Sequence, residues 1–182
     1  MEEDDKGLAR LGLFAGRVAR EVITTVLPAL LIALLVHAYV AEAVAIEDGP
    51  SMQPNLYVGN RLMTEKISYY LHPPRRGDVV IIERPAGEVS LVKRVVAVEG
   101  EVVEVRGGHT FVNGQPIDEP WVAHFGGQDY GPALVPPDHL FVVGDNRAVS
   151  RDSRAIGPVP VDSIRGRVWL VYWPLDQIEF AP

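Results

Sequence analysis

The sequence lacks cysteine altogether over its 182 residues. Without thiols the chain forms no disulfide, no zinc-thiolate site and no cysteine nucleophile. It also lacks any run of lysine and arginine, and its formal net charge is −7. Because proteins that track nucleic-acid phosphates present a basic face, we expect no nucleic-acid partner.

A local absence marks the N-terminal part of the chain. Residues 22–40, VITTVLPALLIALLVHAYV, contain no Asp, Glu, Lys or Arg, and a helix of about this length crosses the hydrocarbon core of a bilayer. Basic residues precede the run and acidic residues follow it, which by the positive-inside rule predicts a cytoplasmic N-terminus. The sequence therefore predicts a cytoplasmic segment over 1–21, a transmembrane helix over 22–40 and an extracytoplasmic domain over 41–182.

An alternative interpretation is a secretory signal that is cleaved at Ala41-Glu42-Ala43, which resembles an A-x-A site. The apolar run is longer than the usual signal core of about 7–15 residues. We therefore interpret it as a retained membrane anchor.

Glycine and proline are plentiful after residue 48 and separate short, β-branched apolar runs. Such runs between turn residues predict strands, and Gly107-Gly108 predicts a hairpin between two of them. The stretch 66–71 is interpreted as a short turn or helix. The result is an all-β domain with strands predicted over 60–65, 79–83, 90–98, 101–106, 110–113, 140–143 and 167–172.

Ser51 lies in the sequence Gly-Pro-Ser-Met-Gln-Pro, shortly after the predicted membrane span. Glycine and two prolines constrain such a loop, and a constrained loop can hold a hydroxyl in the fixed direction that nucleophilic catalysis requires. The same sequence is also typical of an ordinary turn, so this segment alone leaves both interpretations open.

Lys93 and Arg94 occupy the middle of an apolar strand, LVKRVV. Because side chains alternate between the faces of a strand, at least one of these cations has apolar neighbours, although the pattern does not say which. Arginine keeps its proton in proteins, whereas a desolvated lysine loses its proton readily and can act as a base. The alternative is a lysine whose stem packs while its ammonium reaches water.

Residues 144–154, with the sequence GDNRAVSRDSR, form a polar segment directly after an apolar strand. One interpretation is a solvated loop with local Asp–Arg pairs. The other is a loop that delivers a hydroxyl to a buried site. The sequence of this segment alone leaves both possibilities open.

Together these segments resemble the bacterial type I signal peptidases, which are serine proteases with a Ser–Lys dyad. The matches are S-M-x-P at 51–54, R-G-D-V-V at 76–80, K-R-V-V through G-E at 93–101, and G-D-N-R-x-x-S-x-D-S-R at 144–154. They follow the family's order behind one N-terminal apolar span. The resemblance implies a twisted antiparallel β-sheet fold and cleavage of signal peptides after small residues.

The resemblance also implies roles for particular residues. Ser51 matches the nucleophile and Lys93 the general base, while Ser150 matches the hydroxyl that orients the lysine amine. Asp152 and Arg154 match a supporting ion pair. The positions that match the lining of the substrate groove are Met52, Leu56, Ile81, Leu91 and Val92. No metal or cofactor is implied, and the expected partners are preprotein signal peptides, the lipid bilayer of the plasma membrane and, as a candidate, the secretion translocon.

One position departs from part of the family. Some members have a serine two residues before the nucleophile, where its hydroxyl helps to bind the oxyanion, but this chain has Gly49. The Ser51 N–H is one expected donor, and a Gly49 backbone group or water are candidates for the second. Two other functions are weighed against a protease: a self-cleaving repressor, which would need an N-terminal helix-turn-helix, and an inactive peptide-binding homologue, which would lack Ser51, Lys93 or Ser150.

Overall fold

The computed structural model describes Phe14 and residues 16–35, 41–46, 49–84 and 89–181. The chain divides into two units, Met1–Val40 and Ala41–Pro182. In the first unit a π-helical turn, Val22–Val26, leads directly into helix α1, Leu27–Leu35. Pro28 has no N–H to donate to a carbonyl one turn earlier, and the π-helical turn lies where that hydrogen bond is missing.

Across the residues described, no helix combines the length and the apolar character needed to cross a membrane. The predicted span of residues 22–40 includes residues 36–40, which lie outside the described ranges. The transmembrane helix therefore stays a prediction.

Two antiparallel sheets build the second unit. Their strands are β1 (Ala41–Ala45), β2 (Arg61–Glu65), β3 (Val79–Ile82), β4 (Leu91–Val98), β5 (Val102–Arg106), β6 (His109–Val112), β7 (Gln115–Pro116), β8 (Tyr130–Leu134), β9 (His139–Val143), β10 (Val159–Pro160), β11 (Ile164–Trp173) and β12 (Glu179–Phe180). The larger sheet has the strand order β1-β2-β11-β3-β4-β9-β10, with β12 beside β11, and the smaller has the order β7-β6-β5-β8. The helices are α2 (Ile67–Leu71) and α3 (Ser153–Ile156), with 3-10 turns at Val161–Ser163 and Leu175–Gln177.

The predicted mainly-β class is confirmed, and each predicted strand overlaps one in the structure. The stretch 66–71 forms helix α2, and Gly107-Gly108 joins β5 to β6. Strands β1 and β8 were not predicted as strands. Their sequences, AEAVA and YGPAL, contain few β-branched residues or a Gly-Pro pair, and tertiary pairing overrides this weak local preference.

Strand β4 lies at the centre of the domain and is buried almost along its whole length. It contributes side chains to all three apolar clusters of the described core: Val92 to one, Val96 to another and Val95 to the third. On one side its Lys93 pairs with β3, and on the other side its Arg94 pairs with the last residue of β9. The chain leaves β9 at Gly144, so the 144–154 segment begins directly beside the two cations.

Candidate active site

The structure brings Ser51 and Lys93 together. The Lys93 Nζ lies 2.9 Å from the Ser51 Oγ and 3.0 Å from the carbonyl oxygen of Val92. Lys93 is 0% exposed and Ser51 is 8% exposed. The two side chains come from positions 42 residues apart in the sequence, so the fold itself creates this pair.

Both cations of β4 are buried, since Arg94 is 1% exposed. The alternative in which the Lys93 ammonium reaches water is therefore wrong. Burial disfavours the charged form of an amine, whereas a buried guanidinium stays charged and needs a carboxylate partner. The two neighbouring cations thus have different electrostatic requirements in one apolar strand.

The Ser51 loop is a short turn stabilised by its own backbone. Gly49 adopts a φ of +55°, a left-handed conformation that glycine adopts most readily. The amides of Asn55 and Leu56 donate to the carbonyl oxygen of Met52. Among the described residues, the Ser51 N–H has no hydrogen-bond acceptor, so this donor is available next to the hydroxyl.

The 144–154 segment is largely buried, and the interpretation as a solvated loop is wrong. Its first contact with the Ser51 turn is a hydrogen bond of 3.0 Å from the Asn146 N–H to the Ser51 carbonyl oxygen. A second contact lies at Gly144, where a Cβ would come within 2.5 Å of that carbonyl oxygen and even closer to the Ser150 hydroxyl. Only glycine fits between these groups.

Ser150 lies beside Gly144 and near the Ser51 carbonyl oxygen, since a Cβ at Gly144 would contact both groups. Its hydroxyl is buried and makes no hydrogen bond within the described residues. The predicted hydrogen bond from the Ser150 hydroxyl to the Lys93 amine is thus absent from the described part of the chain, although Ser150 lies in the immediate surroundings of Ser51. Its orienting role stays a prediction.

Asp152 and Arg154 form the predicted ion pair. The Arg154 Nε and one terminal nitrogen each lie 2.9 Å from a carboxylate oxygen of Asp152. Burial opposes ionisation of Asp152, but hydrogen bonds and charge from Arg154 and a hydrogen bond from the Gly144 N–H outweigh it, so the pKa of Asp152 lies below its usual range. Since Arg154 also donates to the carbonyl oxygen of Arg147, the pair fixes the conformation of the whole segment.

The most buried ion pair near the site was not assigned from the sequence. The Arg94 Nε and a terminal nitrogen lie 2.8 Å and 2.7 Å from the two carboxylate oxygens of Asp145, with side chains 1% and 0% exposed. Another nitrogen of Arg94 donates to the Gly77 carbonyl oxygen. Asn55 donates to Asp145 from the Ser51 turn at 2.8 Å. Arg94 and Asp145 lie 51 positions apart in the sequence, and neither motif alone indicates that they pair.

A second buried arginine was also missed. Arg147 donates to both carboxylate oxygens of Glu119, to Thr110 and to the carbonyl oxygens of Gly108 and Gly144. These contacts join the 144–154 segment to the smaller sheet. The segment is therefore anchored on both sheets of the domain.

The predicted groove residues are packed closely in the described structure. Four of them share one apolar cluster, and Leu91 belongs to a different one. None is more than 7% exposed: Met52, Leu56, Ile81, Leu91 and Val92. Their role in binding a substrate stays a prediction.

A serine hydroxyl held against a buried lysine amine is the arrangement found in Ser–Lys hydrolases. The sequence profile of the family described as signal peptidase, peptidase S26, matches residues 19–173. The chain therefore belongs to the signal peptidase family, and the resemblance noted in the sequence is confirmed.

Individual relatives cover most of the chain. Signal peptidase I of Leptolyngbya laminosa is 39% identical over 171 residues, which are 89% of this chain and 84% of the relative. Signal peptidase I of Bacillus licheniformis is 32% identical over 170 residues, which are 87% of this chain and 91% of the relative. A crystal structure of a signal peptidase I from Enterococcus faecalis V583 matches 53% of this chain and 97% of its own, with 30% identity and a TM-score of 0.46.

The Arg94–Asp145 pair yields a prediction about stability. Asp145→Asn leaves a buried guanidinium without its opposite charge, and breaking a buried pair from one side costs about 3–5 kcal/mol. We expect a loss of this size in the free energy of urea unfolding, measured on the purified chain in detergent.

The matched control is Glu104→Gln, which removes the carboxylate from the solvent-accessible pair with Arg106. Exposed pairs contribute less than about 1 kcal/mol. Equal, small losses in the two variants would show that the buried pair contributes no more than a surface one.

Proposed function

We propose that this chain is a membrane-bound serine endopeptidase that removes signal peptides from exported preproteins after small residues. The observation that carries the proposal is the distance of 2.9 Å between the buried Lys93 Nζ and the Ser51 Oγ. Ser51 acts as the nucleophile and Lys93 as the general base. Membership of the signal peptidase family supports the choice of substrate.

The chemistry follows from the two groups. The Ser51 Oγ attacks the scissile carbonyl carbon while the neutral Lys93 amine accepts the hydroxyl proton. The C–N bond then breaks, Lys93 delivers that proton to the leaving amine, and an ester joins Ser51 to the signal peptide. Water attacks this ester with Lys93 again accepting a proton, which releases the signal peptide and restores Ser51.

The negative oxygen of the intermediate needs hydrogen-bond donors. The Ser51 N–H supports this role because it makes no other hydrogen bond in the described part of the chain. Gly49, whose backbone is left-handed, lies two residues before the serine and has no side-chain donor. The second partner of the oxyanion is therefore proposed to be a backbone N–H or water. One such donor typically contributes about 3–4 kcal/mol to the stability of the transition state.

Substrate binding is proposed to occur by strand addition. Along Leu91, Val92 and Lys93, β4 pairs with β3 on one side. On its other side no strand among the described residues pairs with these three, because pairing with β9 begins only at Arg94. An extended peptide beside these three residues would pass Ser51. The preference for small side chains before the scissile bond is proposed from membership of the signal peptidase family.

The N-terminal apolar segment is proposed as a single-pass anchor over residues 22–40, with the catalytic domain outside. A signal peptide has its own apolar core in the bilayer, so an enzyme anchored in the same membrane meets the cleavage site where the peptide leaves the lipid. The bilayer and the secretion translocon are the partners that this arrangement favours.

The test is direct cleavage of a preprotein that carries an A-x-A site, with N-terminal sequencing of the product. We expect a new N-terminus immediately after the second small residue. Ser51→Ala and Lys93→Met each abolish this cleavage, because the nucleophile and the base act as one unit, while circular dichroism and the melting temperature confirm folding.

The control variants are Ser163→Ala and Lys66→Met, which change a serine and a lysine away from Ser51. Ser163 binds only a local carbonyl oxygen, and Lys66 pairs with Glu42 near the surface. Both are expected to cleave like the unchanged protein. Normal turnover by either dyad variant would rule out the Ser–Lys assignment.

The pH dependence tests the protonation state of the base. Only a neutral Lys93 accepts the Ser51 proton, so kcat/KM is expected to rise with pH until the amine is fully deprotonated. The measurement is the initial cleavage rate from mildly acidic to alkaline pH, within the range where the protein stays folded. A flat profile, or a rate that falls as pH rises, would contradict the role of Lys93.

Gly144 provides a further test of the site's packing. Gly144→Ala introduces a Cβ against the Ser51 carbonyl oxygen and the Ser150 hydroxyl, and displacement of a nucleophile by about 1 Å costs on the order of 100-fold in rate. We expect a loss of kcat of about that size. The control is Gly114→Ala, where the φ of +79° is strained but a Cβ meets no atom within 4 Å; equal activity of the two variants would show that Gly144 does not position Ser51.

A further inference from the structure

Asn55 lies in the same turn as Ser51, four positions further along the chain. Its backbone N–H donates to the Met52 carbonyl oxygen at 3.1 Å, so its main chain is fixed relative to the residue next to the nucleophile. Its side chain points away from this backbone hydrogen bond and reaches two other parts of the fold. No interpretation of the sequence assigned it a role.

The Asn55 side-chain nitrogen makes two hydrogen bonds of 2.8 Å. One goes to a carboxylate oxygen of Asp145 and the other to the carbonyl oxygen of Trp121. A carboxamide nitrogen carries two donors, and both are used. Since both partners are acceptors, they also determine which end of the carboxamide faces them.

Both of these acceptors belong to residues whose side chains contact Arg94. Asp145 forms the buried ion pair with it, and the Trp121 ring lies 4.6 Å from the Arg94 guanidinium carbon. Arg94 is the neighbour of Lys93 in β4. The Asn55 side chain therefore connects the turn that carries Ser51 to the strand that carries Lys93, through groups that are themselves fixed.

A second hydrogen bond joins the Ser51 turn to the 144–154 segment. The Asn146 N–H donates to the Ser51 carbonyl oxygen at 3.0 Å, one residue after Asp145. The Asn55–Asp145 bond joins the turn to this segment at the other end of the turn. Two hydrogen bonds at the two ends restrict the orientation of the turn more than either bond does alone.

We propose that Asn55 is a positioning residue that holds the Ser51 Oγ at the Lys93 Nζ. The proposal rests on the proposed Ser–Lys mechanism. Asn55 touches neither reacting group. It fixes the turn of the nucleophile to Asp145, whose partner Arg94 fixes the strand of the base.

The first test compares Asn55→Ala with Asn60→Ala in preprotein cleavage. Asn60 is a matched control because it is an asparagine in the same loop, more buried than Asn55, whose side chain also makes two hydrogen bonds, to the Tyr57 N–H and to Gln177. Neither of these contacts the 144–154 segment. We expect Asn55→Ala to lower kcat on the order of 10–100-fold with little change in KM, since loss of alignment acts on the chemical step.

Asn60→Ala is expected to lower the melting temperature at least as much as Asn55→Ala does. Its kcat is expected to stay within about 3-fold of that of the unchanged protein. If kcat falls in both variants in proportion to the melting temperature, Asn55 has only a structural role and the proposal is wrong. An unchanged kcat in Asn55→Ala overturns it as well.

The second test uses Asn55→Asp, which keeps the shape of the side chain. The charged groups that face this position are the Asp145 carboxylate, from the segment after β9, and the Arg94 guanidinium from β4. When the introduced carboxyl ionises, it repels Asp145 and loses its donor. Since a carboxyl ordinarily ionises well below neutral pH, the kcat of Asn55→Asp at neutral pH is expected to fall at least as far as that of Asn55→Ala, and a kcat equal to that of the unchanged protein would contradict the proposal.

These outcomes are separate from the proposed function itself. If the unchanged protein fails to cleave the preprotein, or Ser51→Ala still cleaves it, the protease assignment fails. If cleavage depends on Ser51 and Lys93 but not on Asn55, only the positioning role fails.

Discussion

The buried ion pair between Arg94 and Asp145 is the interaction on which the arrangement of the site depends. It joins the central strand β4 to the segment after β9. Arg94 and Asp145 each make a further hydrogen bond to another part of the site. The turn at Gly77, within the R-G-D motif, accepts a hydrogen bond from Arg94, and the turn of Ser51 donates one to Asp145 through Asn55. The four sequence motifs thus meet at one pair of charges. A buried pair is weak evidence of stability in itself, but this one lies where the segment bonded to the Ser51 turn meets the strand of Lys93.

The neighbouring cations of β4 show why residue type matters more than charge at these positions. Both are almost wholly buried, yet a guanidinium keeps its proton and so requires the Asp145 carboxylate, whereas an amine in the same strand can give up its proton. Lys93 has the Ser51 hydroxyl within hydrogen-bond distance. An arginine in its place would stay protonated and could not act as a base, and a lysine in place of Arg94 would lose the two-point contact with the carboxylate.

Much of the fold and the central pair could be predicted from the sequence, because β-branched runs between turn residues and ordered motifs carry that information. The predicted strands are present, and Ser51 and Lys93 meet. Strand β1 was missed since AEAVA has little intrinsic preference for a strand and pairs through its neighbour β2. Asn55 and Asp145 were missed because their contact joins residues 90 positions apart.

Ser150 shows a different limit: the motif predicts its proximity to the site, while its contact with the lysine amine depends on side-chain geometry that no motif describes.

The most direct test of the account is the protonation of the Lys93 amine in the full-length protein. The chain contains three lysines, Lys6, Lys66 and Lys93, so nitrogen-15 and carbon-13 labelling of lysine side chains gives three resonances that can be followed by NMR in detergent micelles, with Lys93→Met identifying one of them. The account predicts that Lys93 loses its proton at a lower pH than the other two lysines, since burial disfavours its charged form. Titration of all three lysines together, or retention of the Lys93 proton above the pH at which the others lose theirs, would contradict it.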